Sequence, residues 1–410
     1  MDLPAWLQYL ETFPSGINNN SLVKVKKLAQ RLGLLNFSGK IVVVGGSNGK
    51  SSCVVCLETI FLAAGYTTGA YISPHVLRYN ERIRVCGQDV AAGILCRIFA
   101  QIDHAREGIA LSYFEFSTLA ALAIFREQKL DILIFEVGLG GRFDAVNILD
   151  ADIAIITTVS LEHTQILGNT KAAIAQEKAG IIRSCSPIIY GDANIPENIC
   201  LAAKQKNASL YVVGKDFFYA KQDGKWFWQV GDHVIKNLPL PKLPLASVAT
   251  ALMVVYLLRN DFKIARRALV MGVRKATLLG RWQNIKVGGK EVIFDVAHNP
   301  ESVALLAQNL SAGRTGRILA VVSMLSDKNI VASLQLLTKI VDKWYIGTLA
   351  NKRAATVAQL TEGLGGCNFV VLSNIAAALQ QAIAEWQRKD KIIVFGSFVT
   401  VADGLYSLYY

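Results

Sequence analysis

The chain has 410 residues, 52% hydrophobic and 18% charged, which suits a packed enzyme of two domains and excludes extended disorder. Its formal charge of +12 is spread along the sequence with no basic run interleaved with aromatics, so anionic small substrates are expected and nucleic acid is not. The longest uncharged run, Leu243 to Leu258, is interrupted by Pro244 and falls short of the roughly 18–20 apolar residues that span a bilayer, which excludes a membrane span.

Met1-Asp2-Leu3-Pro4 carries neither a basic n-region nor a small-residue cleavage site, and the seven cysteines are scattered rather than framed in pairs. Reduced thiols in a cytoplasmic protein are expected.

In chain order, Ile41 to Val44 is a β-branched run ending in Gly45-Gly46, and a helical pattern follows Lys50 to about Ala64. Apolar runs at Ile132–Val137, Ile153–Val159 and Ile188–Tyr190 alternate with helical stretches near 91–105, 115–128 and 170–183, the arrangement of a parallel sheet covered by helices. From about 208 to 238 the pattern changes: Lys225-Trp226-Phe227-Trp228 lies between the turn signals Asp223-Gly224 and Gly231-Asp232, which predicts a small antiparallel subsheet.

After the connector Pro239 to Pro244 two helices are expected, and Leu279-Gly280-Arg281-Trp282 precedes a new strand at Val292–Asp295. Strands near 317–322, 342–347, 369–372 and 391–395 then alternate with helices near 301–310, 328–338, 354–364, 374–387 and 398–409. The expected fold is α/β: a P-loop-type domain with a small antiparallel subsheet over 1–287, and a smaller Rossmann-like α/β domain over 288–410.

The chemistry starts at Gly45-Gly46-Ser47-Asn48-Gly49-Lys50-Ser51-Ser52, where a strand feeds a helix and glycines let backbone N–H groups turn around a polyphosphate. Lys50 is expected to reach the terminal phosphates, and Ser51 or Ser52 to offer a hydroxyl to Mg²⁺. The full Walker A spacing is not met, because Val stands where its first glycine would fall. Cys53 and Cys56 on the following helix read as core packing, since no second cysteine pair accompanies them.

Glu136 ends an apolar strand at the edge where α/β folds bind ligands, and oxygen ligands suit Mg²⁺. The glycines of Val137-Gly138-Leu139-Gly140-Gly141-Arg142 then permit a sharp turn that leaves Asp144 or Arg142 to face a second ligand. His163 follows the strand Ile153–Val159 and is placed either for structure or for the site. In Asp295-Val296-Ala297-His298-Asn299-Pro300, capping explains Asn299 and Pro300 but leaves Asp295 and His298 unexplained.

These residues fall into ordered motifs: Gly46-Ser47-Asn48-Gly49-Lys50, Ser73-Pro74-His75, Tyr113-Phe114-Glu115, Glu136 to Arg142, Glu177-Lys178-Ala179-Gly180-Ile181, Gly280-Arg281 and Asp295 to Pro300. Over nearly its whole length the chain resembles the folylpolyglutamate synthases, in particular the bacterial bifunctional dihydrofolate/folylpolyglutamate synthases, relatives of the Mur cell-wall ligases.

The resemblance implies an ATP-dependent ligase that adds L-glutamate to dihydropteroate and to the γ-carboxyl of reduced folates through an acyl phosphate. It implies that Gly46, Ser47, Asn48, Gly49, Lys50, Ser51 and Ser52 bind ATP, and that Ser73, Glu136 and His163 hold two Mg²⁺ ions. Lys178 matches a lysine carried as a carbamate, although its amphipathic helix alone would make it a solvated residue. Arg281, Asp295 and His298 match nucleotide and catalytic contributions of the C-terminal domain, and Ser112, Phe114 and Asp144 fall where the pterin is held.

A monomer is the family's usual condition. Glu162 stands in place of the usual Asp, Ser247 of Asn, and Val399 of His. A Mur-type peptide ligase and a non-catalytic nucleotide-binding regulator are the alternatives; the first lacks its nucleotide-sugar domain here, and the second should have lost residues such as Glu136, His163, Lys178 and Arg281.

Overall fold

In the computed structural model, which describes residues 1–14, 21–312 and 314–409, the chain forms two units, Met1–Thr277 and Leu278–Tyr410. The first opens with helices α1 (Leu3–Glu11) and α2 (Ser21–Arg31), strand β1 (Lys40–Gly45), helix α3 (Lys50–Ala63) and strands β2 (Thr68–Tyr71), β3 (Ile83–Val85) and β4 (Gln88–Asp89). Helices α4 (Ala92–Ala105) and α5 (Tyr113–Glu127) lead to β5 (Ile132–Glu136) and β6 (Ile153–Ile156). The short α6 (Thr164–Leu167) and α7 (Lys171–Ala179) lead to β7 (Ile188–Tyr190), then α8 (Glu197–Gln205) and β8 (Leu210–Val212). Strands β9 (Phe217–Gln222), β10 (Lys225–Val230) and β11 (His233–Pro239) precede α9 (Leu245–Leu257) and α10 (Arg266–Lys275).

The main sheet has the order β4-β3-β2-β5-β1-β6-β7-β8, parallel from β2 onward, with β3 and β4 added antiparallel at one edge. Strands β1 and β5 are central and buried almost throughout. Burial on both faces is why they read as unbroken apolar runs instead of alternating ones. Strand β2, Thr68-Gly69-Ala70-Tyr71, lacks such a run and escapes the periodicity.

The subsheet β11-β10-β9 is antiparallel, as its turn residues predict. Its buried Trp226 and Trp228 anchor it, the Trp228 indole N–H donating to Ala249 O of α9 at 3.0 Å.

The second unit contains β12 (Gln283–Val287), β13 (Lys290–Asp295), α11 (Pro300–Ser311), β14 (Ile318–Val322), α12 (Ile330–Gln335) and β15 (Lys343–Gly347). It closes with α13 (Val357–Leu364), β16 (Phe369–Leu372), α14 (Ile375–Glu385), β17 (Lys391–Phe395) and α15 (Phe398–Tyr409). Its sheet order is β12-β13-β17-β14-β15-β16, parallel except for β12. Because β12 pairs antiparallel with β13, residues 283–287 join the second sheet, and the division falls at Thr277 and Leu278 instead of after 287. No helix among the described residues is long and apolar enough to cross a membrane.

Candidate active site

The turn from β1 into α3 is held against the end of β6. Gly46 has φ +132°, and a Cβ there would come within 1.9 Å of Thr157 Oγ1, so only glycine fits. The Ser47 amide donates to Thr158 O at 2.9 Å and the Asn48 amide to Thr158 Oγ1 at 3.1 Å. Gly49, the N-cap of α3, is left-handed at φ +86° with no side chain capping the helix. Lys50 Nζ folds back to donate to Gly46 O at 2.8 Å and Ser47 O at 3.3 Å. The loop is thus a ring of backbone with a cation lodged in it and an uncapped helix start beneath, the form that accepts a phosphate chain.

Next to it, Ser51 Oγ donates to Glu136 Oε1 at 3.0 Å, and the Ser73 amide donates to Glu136 Oε2 at 3.1 Å. The end of β5, the start of α3 and the segment after β2 therefore meet at one buried carboxylate. Ser52 is also buried, its hydroxyl without a hydrogen-bond partner among the described residues. Cys53 and Cys56 are fully buried, and burial pushes the Cys56 thiol up to about 12 and Cys53 well up, which makes them inert core residues.

Lys178 is 1% exposed and its Nζ donates to Glu162 Oε1 at 2.8 Å. Burial pushes the Lys178 ammonium below the ordinary lysine range, with Glu162 pulling the other way. Burial opposes ionisation of Glu162 as well, but Lys178 and then Lys50 outweigh it and hold the carboxyl at about 2. Lys50, Glu162 and Lys178 therefore share one electrostatic neighbourhood. His163, beside Glu162, adopts a left-handed φ of +47° as the N-cap of α6.

The glycine-rich loop after β5 explains its own composition. A Cβ on Gly138 would lie 2.5 Å from the Phe114 ring, and one on Gly141 would lie 2.8 Å from Glu177 O and 3.0 Å from Lys178 Cα. Phe114 thus rests on the loop backbone, and the loop packs on the helix end that carries Lys178.

Asp144 is buried, accepting from the Leu139 amide at 2.9 Å and the Val146 amide at 2.9 Å. Burial pushes its carboxyl up to about 7 against the pull of those amides and of Lys50. Ser112 caps α5 in a reciprocal pair with Glu115. Arg142 turns instead over the Phe143 ring, 4.9 Å from its centroid.

Sequence reasoning passed over Thr158, and noticed Glu162 only as a departure. Both lie just past the end of β6, the position that singled out His163, and the same logic would have found them. It also missed Arg82, whose Nε donates to His75 Nδ1 at 2.8 Å; burial and then the Arg82 charge push that imidazole down to about 4.

In the second unit, Arg281, Asp295 and His298 gather at the carboxyl end of β13. Asp295 Oδ2 accepts from the Trp282 amide at 2.9 Å and Oδ1 from the Ala297 amide at 2.9 Å, so the carboxylate clamps the backbone beside both Arg281 and His298. His298 Nδ1 lies 2.8 Å from Val296 O, an acceptor only, which places the proton on Nδ1 in the neutral ring. Asn299 Oδ1 accepts from the Ser302 amide at 2.9 Å and caps α11, with Pro300 in its first turn.

Residues 107–233 match the Mur ligase middle domain and residues 280–398 the Mur ligase glutamate ligase domain. The dihydrofolate synthase/folylpolyglutamate synthase of Escherichia coli K12 is 41% identical over 401 residues, covering 98% of this chain and 94% of that protein. E. coli FolC, solved in complex with DHPP and ADP, is similar at a TM-score of 0.94 and 40% identity, covering 99% of this chain and 97% of that one. The bifunctional folylpolyglutamate synthase/dihydrofolate synthase from Yersinia pestis, complexed with AMPPNP and Mn, gives 0.95 and 41%, covering 100% and 98%.

Proposed function

Because the chain belongs to the dihydrofolate synthase/folylpolyglutamate synthase family of Mur-type ligases, we propose that it joins L-glutamate to dihydropteroate, and to the γ-carboxyl of reduced folates, at the cost of ATP. It is a folate glutamate ligase, and in this reading it works as a cytoplasmic monomer on small molecules. The observation that carries the site is the Ser51–Glu136 contact of 3.0 Å beneath a glycine loop that holds Lys50.

A hydroxyl and a carboxylate converging beside a phosphate cradle fit a divalent cation such as Mg²⁺, which takes few protein oxygens and keeps phosphate oxygens and waters for the rest. Ser51, Ser73, Glu136 and His163 would hold two such ions, which when bound neutralise charge on the transferring phosphoryl group. A lysine pushed toward its neutral form by burial is suited to take up CO₂ as a carbamate, and Lys178 would support a metal in that form.

A carboxylate is a poor acyl donor, so the acceptor's carboxyl oxygen first attacks the γ-phosphorus and displaces ADP. The glutamate amine then attacks the acyl carbon and loses a proton, and the acyl C–O bond breaks as phosphate leaves with its electron pair. Lys50 would supply its charge where charge builds on the phosphoryl oxygens, and fixed donors aimed at developing charge carry the largest share of such catalysis. Gly46 to Ser52 would hold the phosphates, Arg281, Asp295 and His298 would serve the nucleotide and the reacting groups, and Ser112, Phe114 and Asp144 the pterin.

The test is ADP release by the purified protein given ATP, Mg²⁺ and glutamate, with dihydropteroate or tetrahydrofolate supplied separately. Sustained release is expected only with glutamate and an acceptor both present; no release with either acceptor refutes the reading. Lys178→Ala is expected to abolish ligation and to remove a ¹³C carbamate resonance seen under ¹³CO₂, and near-normal turnover would take Lys178 out of the mechanism.

A further inference from the structure

Helix α15 begins with an aromatic that the core does not use. Val401 and Leu405 of the same helix are fully buried, whereas Phe398 is only half-buried. Its ring faces two side chains of the second unit's carboxyl edge. The Arg281 guanidinium carbon lies 5.4 Å from the ring centroid, and the His298 ring centroid lies 6.2 Å away at 51°.

The backbone on each side of this contact is fixed. Ser397 Oγ accepts from the Thr400 amide at 3.0 Å, and Thr400 Oγ1 donates to Ser323 O at 2.8 Å, which ties the start of α15 to the end of β14. Gly396 has φ +117°, and a Cβ there would meet Ser323 O at 2.2 Å, so only glycine lets the turn leading into Phe398 pack against the end of β14. Opposite it, Asp295 clamps the amides of Trp282 and Ala297, and the Val296 amide donates to Gly280 O at 2.8 Å. Two anchored backbone segments thus present a cation and an imidazole to one ring.

We propose that Phe398 is a positioning residue for the ligase reaction: its π face holds the Arg281 guanidinium, and its edge steadies the His298 ring, so that both side chains are set in advance for an anionic nucleotide. The proposal rests on the reading of the protein as an ATP-dependent ligase. A guanidinium is drawn to an aromatic face by the ring's quadrupole, and a hydrocarbon of equal bulk supplies no such attraction. Arginine has many rotamers, and a ring that fixes one of them removes an ordering cost from nucleotide binding.

Phe398→Leu keeps apolar bulk and loses the ring, whereas Phe398→Tyr keeps the ring. The full-length chain is titrated with ADP and Mg²⁺ by calorimetry, and the unfolding midpoint of each variant is measured alongside. Leu is expected to weaken ADP binding about 3- to 30-fold and Tyr by about twofold or less, with matching midpoints. In an Arg281→Ala background the Phe-to-Leu change is expected to have little further effect, a coupling that a purely structural residue would not show.

Equal ADP affinity for Leu and the native chain overturns the proposal, as does a loss in Leu that tracks a lowered midpoint or persists in the Arg281→Ala background. Failure of the native chain to bind ADP at all overturns the nucleotide reading itself, and this proposal with it.

Discussion

Both units turn from a parallel strand into a helix, yet they treat the helix start in opposite ways. At α3 the N-cap is Gly49, and no side chain satisfies the first-turn N–H groups. At α11 and α15, Asn299 and Ser397 accept from the amides of Ser302 and Thr400. A capped start has spent its donors inside the fold, whereas an uncapped one keeps them for an external anion. In the proposed reading the first unit therefore offers backbone to a polyphosphate, and the second offers side chains, Arg281 and His298, beside a carboxylate and a ring.

The sharpest break in that contrast comes from Lys50→Ala. It removes the loop's cation but only two contacts to loop carbonyls, so turnover is expected to fall by roughly 100- to 1,000-fold while the fold survives. Steady-state kinetics with circular dichroism checks both halves of that statement.

Gly49→Ala tests the open helix start directly. Its φ of +86° is unsuited to alanine, and the added Cβ would lie 2.5 Å from Ser247 Oγ. ADP affinity is expected to drop about tenfold or more; an unchanged affinity would mean that the loop's shape does not matter for the nucleotide.

A smaller effect is expected at a closed start. Asn299→Ala removes a cap, and denaturant unfolding should show a loss of about 1 kcal/mol. No loss would show that the cap satisfies nothing the chain needs.

The smallest effect is a change in pH dependence. Glu162 has a folded pKa of about 2, below its ordinary 4.5, so its stabilising contribution is complete above 4.5 and disappears as pH falls through about 2. Glu162→Gln should flatten that acid limb in unfolding midpoints measured across the same range. An acid limb as steep as that of the native chain would assign it to other carboxylates.

How much of this was visible in the residues depends on how local each feature is. The phosphate loop is eight consecutive residues whose glycines, lysine and serines carry their own geometry, and the buried strands declare themselves as apolar runs. The pairing of Lys178 with Glu162 is different: sixteen residues and a helix separate the two, and the α7 pattern gives no sign that this lysine is buried. Its interest came from the resemblance, and its surroundings came only from the fold.

Asp295 was singled out because capping could not explain it, but its grip on two backbone amides depends on residues 280–282 lying alongside β13. The same antiparallel pairing of β12 with β13 carries residues 283–287 into the second sheet, a partnership that no local pattern before Val292 shows.

Trp228 turns the first unit's small sheet into an optical gauge. Its indole is hydrogen-bonded to Ala249, two residues beyond Ser247, and Ser247 abuts Gly49 at the mouth of α3. With the other five tryptophans replaced by Phe, the emission of this shielded indole is expected to report a nucleotide that rearranges that mouth.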